Sequence, residues 1–242
     1  MNDNRFMSSS QAQAVQIDVG LRSYMLGVYN HMTTALAITG LFAIGIQMFT
    51  GTISNPTSFG YLLYGSPLKW VVMLAPLGMV FYISAKINSI SSAKARNLFY
   101  IYSGLMGISL SSLFMLYTNE SVARAFFVTS GAFAALSIYG YTTKKSLSGL
   151  GSFLIMGVFG LIIASIVNIF LGSDTMAFAI SILGVLIFAG LTAYDTQKIK
   201  NMYIAGDDVE IGGKKSIIGA LTLYLDFILM FQFILSLIGN RE

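Results

Sequence analysis

Seven stretches of mostly apolar residues, each close to the ~20 residues that a helix needs to cross the hydrocarbon core of a bilayer, run through this chain. The stretches are continuously apolar and do not alternate with polar residues, as the strands of a membrane barrel would. We therefore predict an all-α membrane protein with seven transmembrane helices, at residues 24–49, 68–87, 98–117, 122–141, 152–171, 176–197 and 217–239.

The composition indicates that lipid is the solvent for most of the chain. Only 10% of the 242 residues are charged and 55% are hydrophobic, whereas about 25% of a typical soluble protein is charged. There are too few charges to cover a water-facing surface. The chain has no Cys, which excludes disulfides, thiolate metal sites and cysteine nucleophiles. The net charge of +4 does not indicate a nucleic acid partner, so the predicted partner is the bilayer.

The chain divides into a short tail and one membrane domain. The first 23 residues are polar and lack the apolar core of a signal peptide. We predict a polar cytoplasmic N-terminal tail at residues 1–23 and a transmembrane domain at residues 24–239. One long polar connection is predicted, at residues 198–216.

Basic residues fix the orientation of the predicted helices, because cytoplasmic connections are enriched in Lys and Arg. Eleven of the fourteen Lys and Arg fall in the N-terminal tail and the second, fourth and sixth connections, and three fall on the opposite side. This alternation requires an odd number of spans and predicts a cytoplasmic N-terminus. The eleven are Arg5, Arg22, Lys86, Lys94, Arg96, Lys144, Lys145, Lys198, Lys200, Lys214 and Lys215, and the three are Lys69, Arg124 and Arg241.

Two acidic residues, Asp195 and Asp226, fall inside predicted spans six and seven. An ionised Asp at the centre of a membrane helix costs ~2.5–3.5 kcal/mol on insertion scales, so such residues usually serve a function. Asp226 lies nine residues after Ile217, at a depth of ~14 Å. Asp195 reaches a similar depth, ~12 Å, only if span six continues to about Tyr203. The sequence thus permits the two carboxylates to meet without requiring it.

The chemistry of such a pair suggests an ion path. Two carboxylates in a poorly hydrated site cannot both ionise cheaply, so they are expected to share one proton. When both are ionised they offer the hard oxygen ligands that Ca²⁺ prefers. We interpret Asp195 and Asp226 as a proton-sensitive site for a cation.

Two strings near the C-terminus carry a family resemblance. AYDTQKI at residues 193–199 and ALTLYLDFILMFQFILSLIG at residues 220–239 resemble the last two helices of the Bax inhibitor-1, or transmembrane Bax-inhibitor-motif, family, whose bacterial members include YccA-like proteins. The resemblance implies a bacterial inner-membrane protein with a central seventh helix surrounded by the others.

The resemblance also implies an activity, a pH-sensitive calcium leak gated by Asp195 and Asp226, which would bind calcium transiently. Family members have a basic residue in span two that engages the pair, and Lys86 is the nearest candidate here. The acidic residue found in span two of some members is absent from this sequence.

Two other classes of function are compatible with parts of this sequence. YccA-like members are associated with modulation of a membrane-bound quality-control protease. The N-terminal tail could bind such a partner. An intramembrane aspartyl protease would also place one Asp on each of two spans, but its Gly-x-Gly-Asp motif is missing, since Leu223, Tyr224 and Leu225 precede Asp226. We therefore predict a protein that is not an enzyme and needs no cofactor, with calcium as a permeant or transiently bound ion.

Overall fold

Seven long helices make up the computed structural model, which describes residues 9–51 and 55–240, with side chains from residue 19 onward. Each is long and apolar enough to cross a membrane, which confirms the predicted architecture. Ser58–Gly60 and a π-helical turn, Tyr61–Gly65, lie between the first two helices, and Leu113–Leu116 continues the third after a turn. The seven are α1 (Ser9–Thr50), α2 (Leu68–Lys86), α3 (Ser92–Leu110), α4 (Asn119–Thr142), α5 (Ser148–Leu171), α6 (Asp174–Asn201) and α7 (Val209–Ile238).

Polar residues in the short connections begin four of these helices. The first N–H groups of a helix have no partner within it, and a side-chain oxygen just before the helix can accept from them. The capping oxygens accept from backbone N–H groups three residues on, and they belong to Ser91, Thr118, Ser173 and Asp208. These caps explain why α3, α4, α6 and α7 begin a few residues before their apolar segments.

The first helix also begins earlier than its apolar segment. α1 starts at Ser9, so most of the predicted polar tail at residues 1–23 continues the helix, and residues 1–8, with Arg5, lie outside the described residues. Outside lipid a helix needs no apolar surface, and the Gln-Ala repeat at residues 11–14 consists of good helix formers. Residue 23 thus marks the end of the polar segment, but the helix begins before it.

The long polar connection predicted at 198–216 is wrong in its extent. α6 continues to Asn201 and α7 begins at Val209, which leaves only residues 202–208 between them. Asp207 Oδ2 pairs with Lys215 Nζ at 2.6 Å. Glu210 accepts hydrogen bonds from the backbone N–H and the hydroxyl of Ser92, at 2.6 and 2.7 Å. Many of the polar residues that suggested a loop therefore lie in the first turns of α7. Among them, Glu210 bonds α7 to the start of α3.

The central position of α7 confirms the expectation for the seventh helix. It packs against α1, α3, α4 and α6, and Ala220, Leu223, Tyr224 and Met230 on it are fully buried. α2 packs mainly against α3, and α5 against α6. These two helices expose many large apolar side chains, as lipid-facing helices do.

Glycine allows α4 and α6 to approach closely. A Cβ atom at Gly140 of α4 would overlap the carbonyl oxygen of Ala193 on α6. Small residues at such contacts let membrane helices gain van der Waals contact that larger residues would prevent. On the same helix, a Cβ at Gly131 would meet nothing within 4 Å.

We expect Gly140→Ala to lower the free energy of unfolding by about 1–3 kcal/mol, because the added methyl group forces the two helices apart. Gly131→Ala should be neutral or stabilising by up to about 1 kcal/mol, since alanine favours helix and the space is free. Thermal unfolding of the two purified variants in one detergent measures the difference. Equal stability of both variants would contradict the close packing of α4 on α6.

The α2–α3, α4–α5 and α6–α7 connections lie at one end of the bundle, which we call the basic end because it carries most of the Lys and Arg. That this end faces the cytoplasm stays a prediction of the sequence.

Cysteine labelling tests that orientation, and the chain has no native Cys to interfere. Glu120 and Lys144 are both exposed and lie at opposite ends of α4. A membrane-impermeant maleimide added to intact spheroplasts should label the Glu120→Cys variant and leave Lys144→Cys unlabelled until the cells are permeabilised. The reverse pattern would show that the basic end faces outward.

Candidate functional site

Asp195 and Asp226 lie on helices that pack against each other, α6 and α7. Both side chains are buried, with only 8% and 4% of the residue surface exposed. Two contacts define how the antiparallel helices are aligned. The hydroxyl oxygens of Ser181 and Ser236 lie 3.0 Å apart, and Ile199 packs against Gly219.

This alignment brings the two aspartates to nearly the same depth. Asp195 lies four residues before Ile199, so the position level with it on α7 is near Leu223, four residues after Gly219. Asp226 lies three residues further along α7, or about 4.5 Å at 1.5 Å per residue. The extension of α6 to Asn201, past the predicted end at residue 197 and close to the extension to about Tyr203 that equal depth required, makes this alignment possible.

The two carboxylates interact electrostatically. The charge of Asp195 acts on Asp226, and the positive charge of Lys198 acts on both. Lys198 lies one turn after Asp195, with its ammonium 5.9 Å from the ring centre of Tyr194. Lys86, the basic partner suggested by the resemblance, is exposed in the last turn of α2, so its contact with the pair stays a prediction.

One carboxylate oxygen of Asp226 stands out among the described residues. Oδ2 of Asp226 is buried and accepts no hydrogen bond within the part of the chain that the structure describes. A buried polar atom without a partner is costly, and a buried charge more so. A proton or a cation at this oxygen would relieve that cost.

The donor set fits a weakly held cation better than a resident one. Ca²⁺ takes about 6–8 oxygen ligands, and two carboxylates can supply about four at most. In residues 9–51 and 55–240, no group of three or more His, Cys, Asp or Glu side chains could hold a metal ion.

Each of the four residues of the YDTQ string faces a different neighbour. Successive residues point about 100° apart around a helix. Tyr194 packs against Gly151 of α5, while Asp195 interacts with Asp226. Thr196 and Gln197 bond to groups in and beyond α4, so each residue of the string connects α6 to its surroundings.

A chain of hydroxyl groups begins beside Asp195 and joins three helices. Thr196 donates to the carbonyl of Thr192 at 2.7 Å, and its oxygen lies 3.0 Å from the hydroxyl of Ser137. Ser137 in turn lies 2.6 Å from the hydroxyl of Tyr29. With the proton of Thr196 bonded on its own helix, donation from Tyr29 to Ser137 and from Ser137 to Thr196 satisfies all three hydroxyls. The bonds join α1 through α4 to α6.

Gln197 holds the connection between α4 and α5. Its Nε2 donates to the carbonyl of Lys145 at 2.9 Å, and its Oε1 accepts from the backbone N–H of Leu147 at 2.8 Å. The sequence did not predict this role, because only the position of the connection in space gives the amide its partners.

A second buried network surrounds Tyr224, in the LYLDF string of α7. The hydroxyl of Thr39 lies 3.0 and 2.9 Å from the carbonyls of Ala35 and Ser103, and 2.6 Å from the hydroxyl of Tyr224. Since Thr39 directs its proton to a carbonyl, Tyr224 donates to Thr39. The ring of Tyr102 meets that of Tyr224 edge-on at 5.6 Å, and its buried hydroxyl has no hydrogen-bond partner among the described residues.

Replacing each tyrosine by phenylalanine should show how much each of the two hydroxyls contributes to the free energy of unfolding. Tyr224→Phe should lower the free energy of unfolding by about 1 kcal/mol, since it removes a buried hydrogen bond. Tyr102→Phe should be neutral or stabilising, because it removes a buried hydroxyl without a partner. Thermal unfolding in detergent measures both, and an equal loss in the two variants would contradict the assignment.

The chain is similar to known proteins over most of its length. Residues 21–242 match the family model described as "Inhibitor of apoptosis-promoting Bax1". The chain is 48% identical over 226 residues to the protein RP147 of Rickettsia prowazekii, covering 93% of this chain and 92% of that protein. It is 43% identical over 231 residues to the "Inner membrane protein YbhL" of Escherichia coli K12, covering 94% and 96%.

Proposed function

The chain belongs to the Bax inhibitor-1 family, and we propose that it is a pH-sensitive calcium leak whose gate is the pair of Asp195 and Asp226. It is a multi-pass protein of the inner membrane, in agreement with its seven spans and with the name of its Escherichia coli relative. The observation that supports the proposal most is the burial of these two carboxylates, at nearly one depth, on adjacent helices.

Competition between protons and calcium for the same oxygens would make the leak sensitive to pH. Two ionised carboxylates in a poorly hydrated site repel each other, and a shared proton removes part of that repulsion. Lys198 offsets only one of the two negative charges. A calcium ion entering the bundle would find the oxygens of Asp195 and Asp226 available only when they are not protonated.

Weak binding suits conduction. An ion must bind well enough to enter a path and weakly enough to leave it. Two carboxylates with few further acidic neighbours meet that requirement, whereas a site of six to eight ligands would retain the ion. In this proposal calcium is the transported ion, and the protein holds no resident cofactor.

The surroundings of Asp226 favour a protein that is not an enzyme. Leu223, which is fully buried, and Leu225, which is half-buried, stand at the two positions where the Gly-x-Gly-Asp motif of an intramembrane aspartyl protease has glycine.

Calcium flux into liposomes that contain only the purified protein tests the proposal. The unchanged protein should give flux that depends on pH, and the double variant Asp195→Asn with Asp226→Asn should lose that dependence, because amides do not titrate. Asp174→Asn is the matched control, since Asp174 is an exposed acid in the first turn of the same helix α6. It should retain the pH response.

An unchanged pH response in the double variant would refute the role of the pair. Absence of flux from the unchanged protein at every pH would instead favour a regulator that transports nothing and acts on a membrane-bound protease. The length of α1, 42 residues, is consistent with that second function, because only about 20 are needed to span the bilayer and the rest could bind a partner.

A further inference from the structure

An apolar groove lies between α1 and α4, near the basic end of the bundle. Residues 22–29 of α1 form one wall and residues 133–141 of α4 form the other, around a volume of about 570 Å³. Met25, Leu26, Phe133 and Ile138 give the walls their apolar character. We call this feature the α1/α4 groove, and it has no part in the proposed gate.

We propose that the α1/α4 groove binds an anionic phospholipid, with an acyl chain along its walls and the phosphate at Arg22. The volume lies within the 300–1,000 Å³ that is usual for ligand sites. The wall from Phe133 to Tyr141 rises about 12 Å along α4, so the groove is an elongated slot suited to a chain.

The groove opens sideways, toward the surroundings of the bundle. Leu26 and Ile138 line it and are 52% and 65% exposed. In a protein with seven membrane spans, apolar side chains exposed at this depth face lipid. The molecules that can enter from that side are therefore those of the bilayer.

Charge at one end of the groove selects the headgroup. Arg22 lines that end, is exposed, and forms no ion pair within the described part of the chain. A guanidinium group matches a phosphate with two parallel hydrogen bonds. Lys200 adds a second positive charge, since its Nζ donates to the carbonyl of Tyr141 at 2.8 Å. An acid at the same end, Asp207, is already paired with Lys215.

The middle of the groove carries polar groups that need nothing from a ligand. The hydroxyls of Tyr29 and Ser137 line it there and bond to each other at 2.6 Å. Ser137 continues to Thr196, so both hydroxyls are satisfied within the protein. An acyl chain can lie against them without leaving a buried donor unpaired.

A photoactivatable phospholipid tests this site in the full-length protein. The protein is placed in phosphatidylcholine nanodiscs with a small fraction of phosphatidylglycerol that carries a diazirine in its acyl chain, and labelled peptides are identified by mass spectrometry. We expect the label to be concentrated in residues 22–29 and 133–141, above the level on the lipid-facing surface of α5.

Two matched pairs of variants make the test specific. Ala134→Trp fills the groove and should reduce labelling there several-fold, whereas Ala135→Trp, on the next and equally exposed residue of α4, lies outside the groove and should not. Arg22→Gln should reduce labelling by phosphatidylglycerol several-fold and labelling by diazirine-phosphatidylcholine much less, because the choline ammonium already balances the charge of that phosphate. Lys144→Gln removes a charge from the same end and should change neither.

Three results would overturn the proposal. The first is even labelling of all lipid-facing surfaces. The second is labelling that Ala134→Trp leaves unchanged. The third is cross-linking of two copies of the chain through the groove, which would make a second protein molecule the occupant. If Ala134→Trp does not fold, the dependence on headgroup in the Arg22→Gln variant decides between binding and chance contact.

Discussion

The rest of the structure depends on the absence of water from the hydrocarbon core of a bilayer. Every backbone group there must find its partner within the chain, which restricts the chain to helices. The same constraint acts on polar side chains. Thr39, Thr129, Thr192 and Thr196 are fully or almost fully buried, and each hydroxyl lies within hydrogen-bond distance of a carbonyl oxygen one turn back on its own helix. Against that background, the buried Oδ2 of Asp226, like the hydroxyl of Tyr102, stands out because it has no partner among the described residues.

The central helix gathers the polar groups of the bundle. α7 carries Asp226 toward α6 and Tyr224 toward α1 and α3, so one helix contributes to the aspartate pair and to the network around Tyr224. The helices around it are joined by hydrogen bonds between side chains, as Tyr29, Ser137 and Thr196 join α1, α4 and α6. α2 and α5 take little part in these networks and mainly separate the bundle from lipid.

The sequence predicted the seven spans because a run of apolar residues is a direct signal of lipid, and it predicted Asp195 and Asp226 because acids stand out in such runs. It did not predict the ends of α1, α6 and α7, since a helix outside lipid needs no apolar surface and is fixed by caps and ion pairs such as that of Lys215 with Asp207. The roles of Gln197 and Thr39 were also missed. A lone amide or hydroxyl in a helix gives no signal until the neighbouring helices are in place.

The position of Gln197 links the interior of the membrane to its surface. It follows Asp195 by two residues on a rigid helix and holds two backbone groups of the connection between α4 and α5. A rotation of α6 that reorients Asp195 must either break both bonds or move that connection with it. A displacement of Asp195, a carboxylate buried inside the helix bundle, would therefore reach the aqueous face of the protein through that connection.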